Sequence, residues 1–229
     1  VRGRLVLADI ETGDTRLAPV AWDADEVEAD LVARVRAALA EFFGELALAE
    51  AKAAEADELA FPFGRFRPGQ REMAAAVARA ARQGGQLLVE APTGIGKTAA
   101  ALFPMLVEAL RGGRRLYVLT SKTTQQEIFR RTLEAIGAAS ARSVRLRAKE
   151  RMCANGVVLC HEDHCPYAKD YAAKLEASGL VDRLLAAAPH LEPDFVFEEA
   201  RVEEVCPFEV SLELAERADV VLGDYNYAF

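Results

Sequence analysis

The stretch Gln86–Thr98, QLLVEAPTGIGKT, decides the fold. Its first five residues read as a short buried strand, and a glycine loop opens at Ala91. A helix over Thr98–Leu110 follows and is ended by Gly112-Gly113. In the loop, Gly94 and Gly96 let backbone N–H groups wrap a phosphate. Lys97 brings an ammonium to the β- and γ-phosphates, and Thr98 brings a hydroxyl to Mg²⁺. Both stand at a helix N-terminus, whose dipole favours anions. The first glycine of the general G-x-x-x-x-G-K-S/T pattern is Ala91 here. Strand, loop and helix in this order predict ATP and Mg²⁺ as cofactors. Upstream, Gln70 in FRPGQREM stands 27 residues before Lys97, and its amide can donate to and accept from an adenine edge at once.

Outward from the loop, a helix is predicted over 70–83 and a second strand over Arg115–Thr120. Another helix is predicted over about 123–136, so the order is that of a parallel α/β sheet. The pattern breaks over about 140–212 and resumes with the apolar strand Asp219–Gly223, which predicts a mainly helical insertion. Before the loop, RLVLADI (4–10), the turn ETGD and RLAPVAW (16–22) predict a β-hairpin. Val27, Leu31, Val35, Leu39, Phe42 and Phe43 then recur at helical spacing, and helical composition continues to about Ala60. A hairpin and one helix cannot enclose a core, so 1–60 is expected to be the remnant of something larger. FPFGRFRPGQ (61–70) marks the boundary with a domain over 61–229. Val1 in place of Met adds the expectation of a piece of a longer chain.

Composition excludes several classes. At 229 residues and 52% hydrophobic, the chain can bury a core and is not disordered. No uncharged apolar run reaches the roughly 18 residues of a membrane span, and the N-terminus lacks a signal peptide's apolar core. A cytoplasmic location is expected. The net charge of −8 conceals a segregated pattern. Residues 1–60 carry −8, 61–110 carry +3, 111–151 carry +8 and 152–229 carry −11. The basic block suits a polyphosphate backbone or, equally, a solvated helix face.

The four cysteines, Cys153, Cys160, Cys165 and Cys206, all fall in the last third of the chain. Such clustering in a cytosolic chain points to metal or redox chemistry rather than disulfides. The spacing fits neither a zinc ribbon nor a thioredoxin motif. Cys165-Pro166 and Cys206-Pro207 repeat a pairing found near iron–sulfur ligands, and four thiolates suit a 4Fe–4S cube. Zinc, with His161 or His164 replacing one thiol, and unliganded core cysteines remain alternatives.

Together these stretches resemble the XPD/DinG-type iron–sulfur DNA helicases, and more closely the bacterial DinG-like members with an upstream PD-(D/E)XK nuclease-like domain. The resemblance rests on FPFGRFRPGQREM, APTGIGKT, YVLTSKTTQQ (117–126), KERMC (149–153), Cys160, HCPYA (164–168) and CPFEVSLELAERADVVLGDYNYAF (206–229). It implies a P-loop NTPase of RecA-like α/β fold with an inserted, mainly helical iron–sulfur domain, acting as an ATP-dependent 5′→3′ helicase on single-stranded or forked DNA. By resemblance, Gln70 contacts adenine, and Thr93, Gly94, Gly96, Lys97 and Thr98 hold phosphate and magnesium. Lys97 and Thr98 carry the catalytic role. Cys153, Cys160, Cys165 and Cys206 ligate the cluster, and Thr120, Ser121, Lys122 and Thr123 touch the DNA backbone. Residues 1–60 match the last hairpin and helix of the nuclease-like domain.

The family's DEAH-type acidic box does not occur in this sequence, and Asp224 with no following Glu reads as structural. Asp9 and Glu11 lack the Lys of an E-x-K arrangement, so no nuclease activity is expected. Lacking also the arginine finger, this stretch alone is expected to hydrolyse ATP poorly. The rival expectation is a non-enzymatic, zinc-stabilised nucleotide-binding module that docks a protein partner.

Overall fold

The computed structural model describes residues 3–20 and 23–228. Ala21 and Trp22 of the predicted second strand, and Phe229 at the end of the predicted domain, lie outside the described residues.

Two compact units divide the chain at Leu48. In the first, β1 (Gly3–Ala8) and β2 (Thr15–Val20) form the expected antiparallel hairpin. The Asp9 carboxylate accepts from the backbone N–H groups of Glu11 (2.8 Å) and Thr12 (3.0 Å), closing the turn. Those N–H groups hold its carboxyl below the usual carboxylate range. Helix α1 (Ala24–Glu58) follows. None of the described residues up to Leu48 is buried, and Phe42 and Phe43 are about 60% exposed.

The second unit takes in the last turns of α1, because Ala56 is buried in its core. The Lys52 ammonium meets Asp219 at 2.6 Å, and the Glu55 carboxylate accepts from the backbone N–H groups of Ala139 and Ser140. The division therefore falls within α1 rather than at the FPFGRFRPGQ turn.

Beyond that turn come α2 (Gln70–Gln83), α3 (Lys97–Arg111), β3 (Leu116–Thr120) and α4 (Thr123–Ile136), each within a residue of its predicted span. Then follow β4 (Ser143–Arg145), α5 (Lys149–Met152), α6 (Tyr171–Ser178), α7 (Leu180–Ala187), β5 (His190–Leu191) and α8 (Pro193–Val202). Helix α9 (Pro207–Arg217), β6 (Val220–Asp224) and a 3₁₀ turn at Tyr225–Ala228 complete the chain. The sheet order is β3-β6-β4-β5, parallel throughout.

Strand β6 is buried on both faces, as its unbroken apolar run requires. Val220 and Leu222 pack with Leu102, Leu106, Leu133 and Ile136 of α3 and α4. Val221 packs on the opposite side with Val144, Leu184, Val196, Val210 and Leu214 of β4 and α7–α9. The stretch read as a break in the α/β pattern thus supplies two strands and one helical layer of the same sheet. Those strands are two and three residues long, too short to leave a periodic signature.

The predicted strand Gln86–Glu90 is not formed. Residues 86–90 join no ladder among the described residues, and Leu88 is 99% exposed. A strand exists only with a hydrogen-bonded neighbour, and β3 takes β6 as its partner. Apolar composition gave this segment its tendency but could not supply the partner.

Candidate functional site

The glycine loop is held open by two left-handed residues, Gly94 (φ +81°) and Gly96 (φ +84°), the second directly preceding α3. Inside it, the Lys97 ammonium donates to the carbonyls of Ala91 (2.7 Å) and Pro92 (3.0 Å). The loop thus curls around its own cation, while Thr93 is exposed and Thr98 half-buried in the first turn of α3.

Gln70, at the start of α2, is buried. Its Oε1 accepts from the Arg67 backbone N–H (3.0 Å) and its Nε2 donates to the Gly96 carbonyl (3.1 Å). The residue expected at an adenine therefore ties the FRPGQ turn to the phosphate loop, with one donor and one acceptor position left at its amide. Sequence reading missed Arg67, whose guanidinium donates to the Gly94 carbonyl at 2.5 Å. Its place three residues before Gln70, in the same turn, was the available signal. Phe61 stacks on Phe66 at 4.0 Å, and Arg71 lies over the Phe66 ring, so aromatic packing fixes this turn. Phe63, Phe66, Gln70, Gly96 and Thr98 border a cavity of about 680 Å³, within the range of nucleotide-sized pockets.

A Cβ added to Gly96 would lie 2.6 Å from Gln70 Nε2, in a backbone region that L-residues avoid. At Gly84, also left-handed (φ +70°), the same atom meets nothing within 4 Å. Both substitutions carry a backbone cost of roughly 1–2 kcal/mol. Only Gly96→Ala also breaks the Gln70 tie, so it should cost on the order of tenfold or more in nucleotide affinity. Gly84→Ala should leave affinity unchanged, and nucleotide titration of both variants tests this.

The C-terminal ends of β3, β6 and β4 form one edge of the sheet, where open parallel sheets bind ligands. Thr120 is buried there and its hydroxyl donates to the Lys122 carbonyl (3.1 Å), holding the turn, whereas Ser121, Lys122 and Thr123 are exposed. The Asp224 carboxylate accepts from the Asn226 N–H (3.0 Å). Thr123, Arg145, Arg147, Lys149 and Arg151 line a groove of about 810 Å³ along this edge.

The +8 block is less available than its count suggests. Six of its eleven cations meet carboxylates: Arg111 with Asp57, Arg130 and Arg131 with Glu127, Arg145 with Glu192, Arg147 with Asp194, and Lys149 with Glu209. The Arg130 and Arg131 hydrogen bonds pull the Glu127 carboxyl down to about 2. Among the described residues the other five have no carboxylate partner: Arg114 and Arg142 donate to backbone carbonyls, and Arg115, Lys122 and Arg151 are exposed.

The four cysteines are free thiols and border one cavity of about 280 Å³. Cys153 ends α5, Cys206 caps α9, and Cys160 and Cys165 come from the loop between α5 and α6. Lys149 and Tyr171 share the cavity wall. Burial pushes the Cys206 thiol up, against the pull of the Glu209 and Phe208 backbone N–H groups. Burial also pushes the Tyr171 hydroxyl up, so it stays protonated, and it has no hydrogen-bond partner. Burial lowers the Lys149 ammonium, but Glu209 outweighs it and, with Cys160, raises the balance.

His161 and His164 are exposed and lie outside that wall. Among the described residues no three His, Cys, Asp or Glu side chains gather around one point as a single ion requires. The donors on that wall are thiols, the ligand type of sulfur-bridged clusters, but among the described residues they are not gathered into a metal-binding group.

Among the described residues no helix is long and apolar enough to cross a membrane. Residues 67–155 match the DEAD/DEAH box helicase family. A stretch of 81 residues is 41% identical to the ATP-dependent DNA helicase YoaA of Escherichia coli (strain K12), covering 35% of this chain and 12% of that protein. The chain therefore spans a small part of that relative's length. The parallel α/β sheet, the phosphate loop and these two similarities support a helicase ATP-binding domain over the matched region.

Proposed function

We propose that the chain is a piece of an ATP-dependent, iron–sulfur DNA helicase moving 5′→3′ on single-stranded DNA. The observation that carries this reading is the joint presence, in one chain, of a phosphate loop curled around Lys97 and of four thiols on one cavity. Lys97 and Thr98 meet the β/γ-phosphates and Mg²⁺, and Thr93, Gly94 and Gly96 supply the backbone cradle. Gln70 positions that cradle and offers its remaining amide positions to adenine. Bound Mg²⁺ would neutralise charge developing on the transferred phosphoryl group.

Cys153, Cys160, Cys165 and Cys206 would hold a 4Fe–4S cluster, which supplies covalent cross-links and a one-electron redox couple. Ser121, Lys122 and Thr123 would hold DNA phosphates at the sheet edge, and Thr120 would shape their turn. We read residues 61–229 as the first motor domain with its cysteine-bearing part at about 140–212, and residues 1–60 as the end of a nuclease-like domain. The location is cytoplasmic in this reading.

The chain purified without oxygen should be brown, absorb broadly at about 400 nm and carry roughly four irons. It should bind single-stranded DNA with little sequence preference and an affinity that falls log-linearly with salt. With only four exposed cations lacking carboxylate partners in the basic block (Arg114, Arg115, Lys122 and Arg151), the slope should correspond to roughly four phosphates rather than eight. A colourless protein holding one zinc, with no DNA affinity at low salt, would favour the partner-docking module instead.

A further inference from the structure

We propose that the groove at the C-terminal edge of the sheet is a track for DNA phosphates in which Asp194 and Glu209 mask Arg147 and Lys149, so that the chain grips a strand less tightly than its own cations allow. The inference rests on the DNA-binding reading above and adds a site and a restraint to it. Strand β4 ends at Arg145, and its ladder runs one residue further, since the Leu146 N–H donates to the Leu222 carbonyl of β6 at 2.8 Å. Alternation along this backbone buries Leu146 in the core and leaves Arg145 and Arg147 half-buried along the groove. Lys149 and Arg151 of α5 continue the row, so a cation at every second position lines the groove of about 810 Å³.

The counter-charges come from the far, acidic end of the chain. Glu192 directly precedes α8, Asp194 stands in its first turn, and Glu209 stands in the first turn of α9. Helix dipoles favour a carboxylate at all three places. Arg145 meets Glu192 at 2.5 Å with neither side chain more than 34% exposed, which makes that pair part of the fold. The other two pairs differ. Asp194 meets Arg147 at 2.5 Å although its side chain is 83% exposed, and Glu209 meets Lys149 at 3.2 Å on the groove wall. Exposed pairs of this kind contribute little to stability. What they change is the field, because each cancels a cation at the point where a phosphate would meet it. The Arg147 guanidinium holds the Asp194 carboxyl below the usual carboxylate range, so this mask stays charged at neutral pH.

The test follows the anisotropy of a fluorescein-labelled oligothymidylate bound by the whole chain, between about 50 and 500 mM salt. Asp194→Asn should steepen the log–log salt slope by about 0.7, the value of one single-strand phosphate, and tighten binding roughly fivefold at about 0.1 M salt. Arg147→Gln added to that variant should return the slope to the wild-type value. Asp182→Asn removes an equal charge, paired with Arg217 outside the groove, and should leave the slope unchanged. Glu209→Gln should add a similar step through Lys149, and it decides alone if Asp194→Asn does not fold.

An unchanged slope in the folded variant, an equal rise in Asp182→Asn, or a rise that Arg147→Gln does not reverse overturns the mask and leaves the DNA reading intact. If neither the wild type nor Asp194→Asn binds the strand at the lowest salt, both readings fall.

Discussion

Lys97→Ala is expected to remove nucleotide binding while leaving the fold unchanged. The side chain is exposed, and its only hydrogen bonds among the described residues go to two carbonyls of its own loop. Deleting it exposes those carbonyls to water rather than burying them, so the melting temperature should move by no more than a degree or two. On a triphosphate the same ammonium makes charge-assisted contacts, worth roughly 2–3 kcal/mol, and its loss should weaken ATP binding on the order of 100-fold. Isothermal titration of ATP and ADP against both proteins separates the roles. A melting temperature lowered by many degrees with affinity retained would make Lys97 a structural tie and sink the phosphate reading. Lys97→Arg sharpens the comparison, since it keeps the charge but presents a planar fork where the loop accommodates a point charge. It should recover only part of the affinity.

What was legible in the sequence follows from how each feature is encoded. Helices α2, α3 and α4 were readable because each carries a complete helical stripe, and two of them end on left-handed glycines, Gly84 and Gly137. The phosphate loop was readable because its glycines are demanded locally by backbone geometry. The strand Gln86–Glu90 was misread because pairing is a property of two segments, and no described strand pairs with it.

The basic block misled in a similar way. Its counter-charges Glu192, Asp194 and Glu209 lie tens of residues downstream in the acidic last segment, so segregation along the chain becomes pairing in space. The burial of Gln70 against Gly96 and the companion contact of Arg67 with Gly94 depend on fold-backs of 26 and 27 residues that no local pattern records. The cysteines are the opposite case. Their irregular spacing resists any motif, yet the fold brings all four to one cavity wall.

Cys206→Ala follows from that convergence and should have the second large effect. Cys206 stands at the N-terminus of α9, whose Val210 and Leu214 are fully buried against Val144 and Val221 of the sheet. Cys153 ends α5, whose Met152 is buried in the same core. Cys160 and Cys165 belong to the loop before α6, in which Val157, Val158 and Leu159 are exposed, so that loop has little apolar packing of its own. Thiolate bonds to one cluster would thus tie a poorly packed loop to two points of a well-packed layer, and binding there acts as local folding energy.

Losing one ligand should drop iron to well below one per chain and bleach the absorbance at about 400 nm. Amide exchange in the loop between α5 and α6 should rise on the order of tenfold or more. Exchange in α3, which packs on the other face of the sheet, and in β3 at the sheet's edge should be unchanged, as should ATP affinity. If Cys206→Ala keeps its iron, Cys206 is a core thiol and the four-cysteine ligand set is wrong. If iron is lost but loop exchange is not altered, the cluster is bound without organising the segment that binds it.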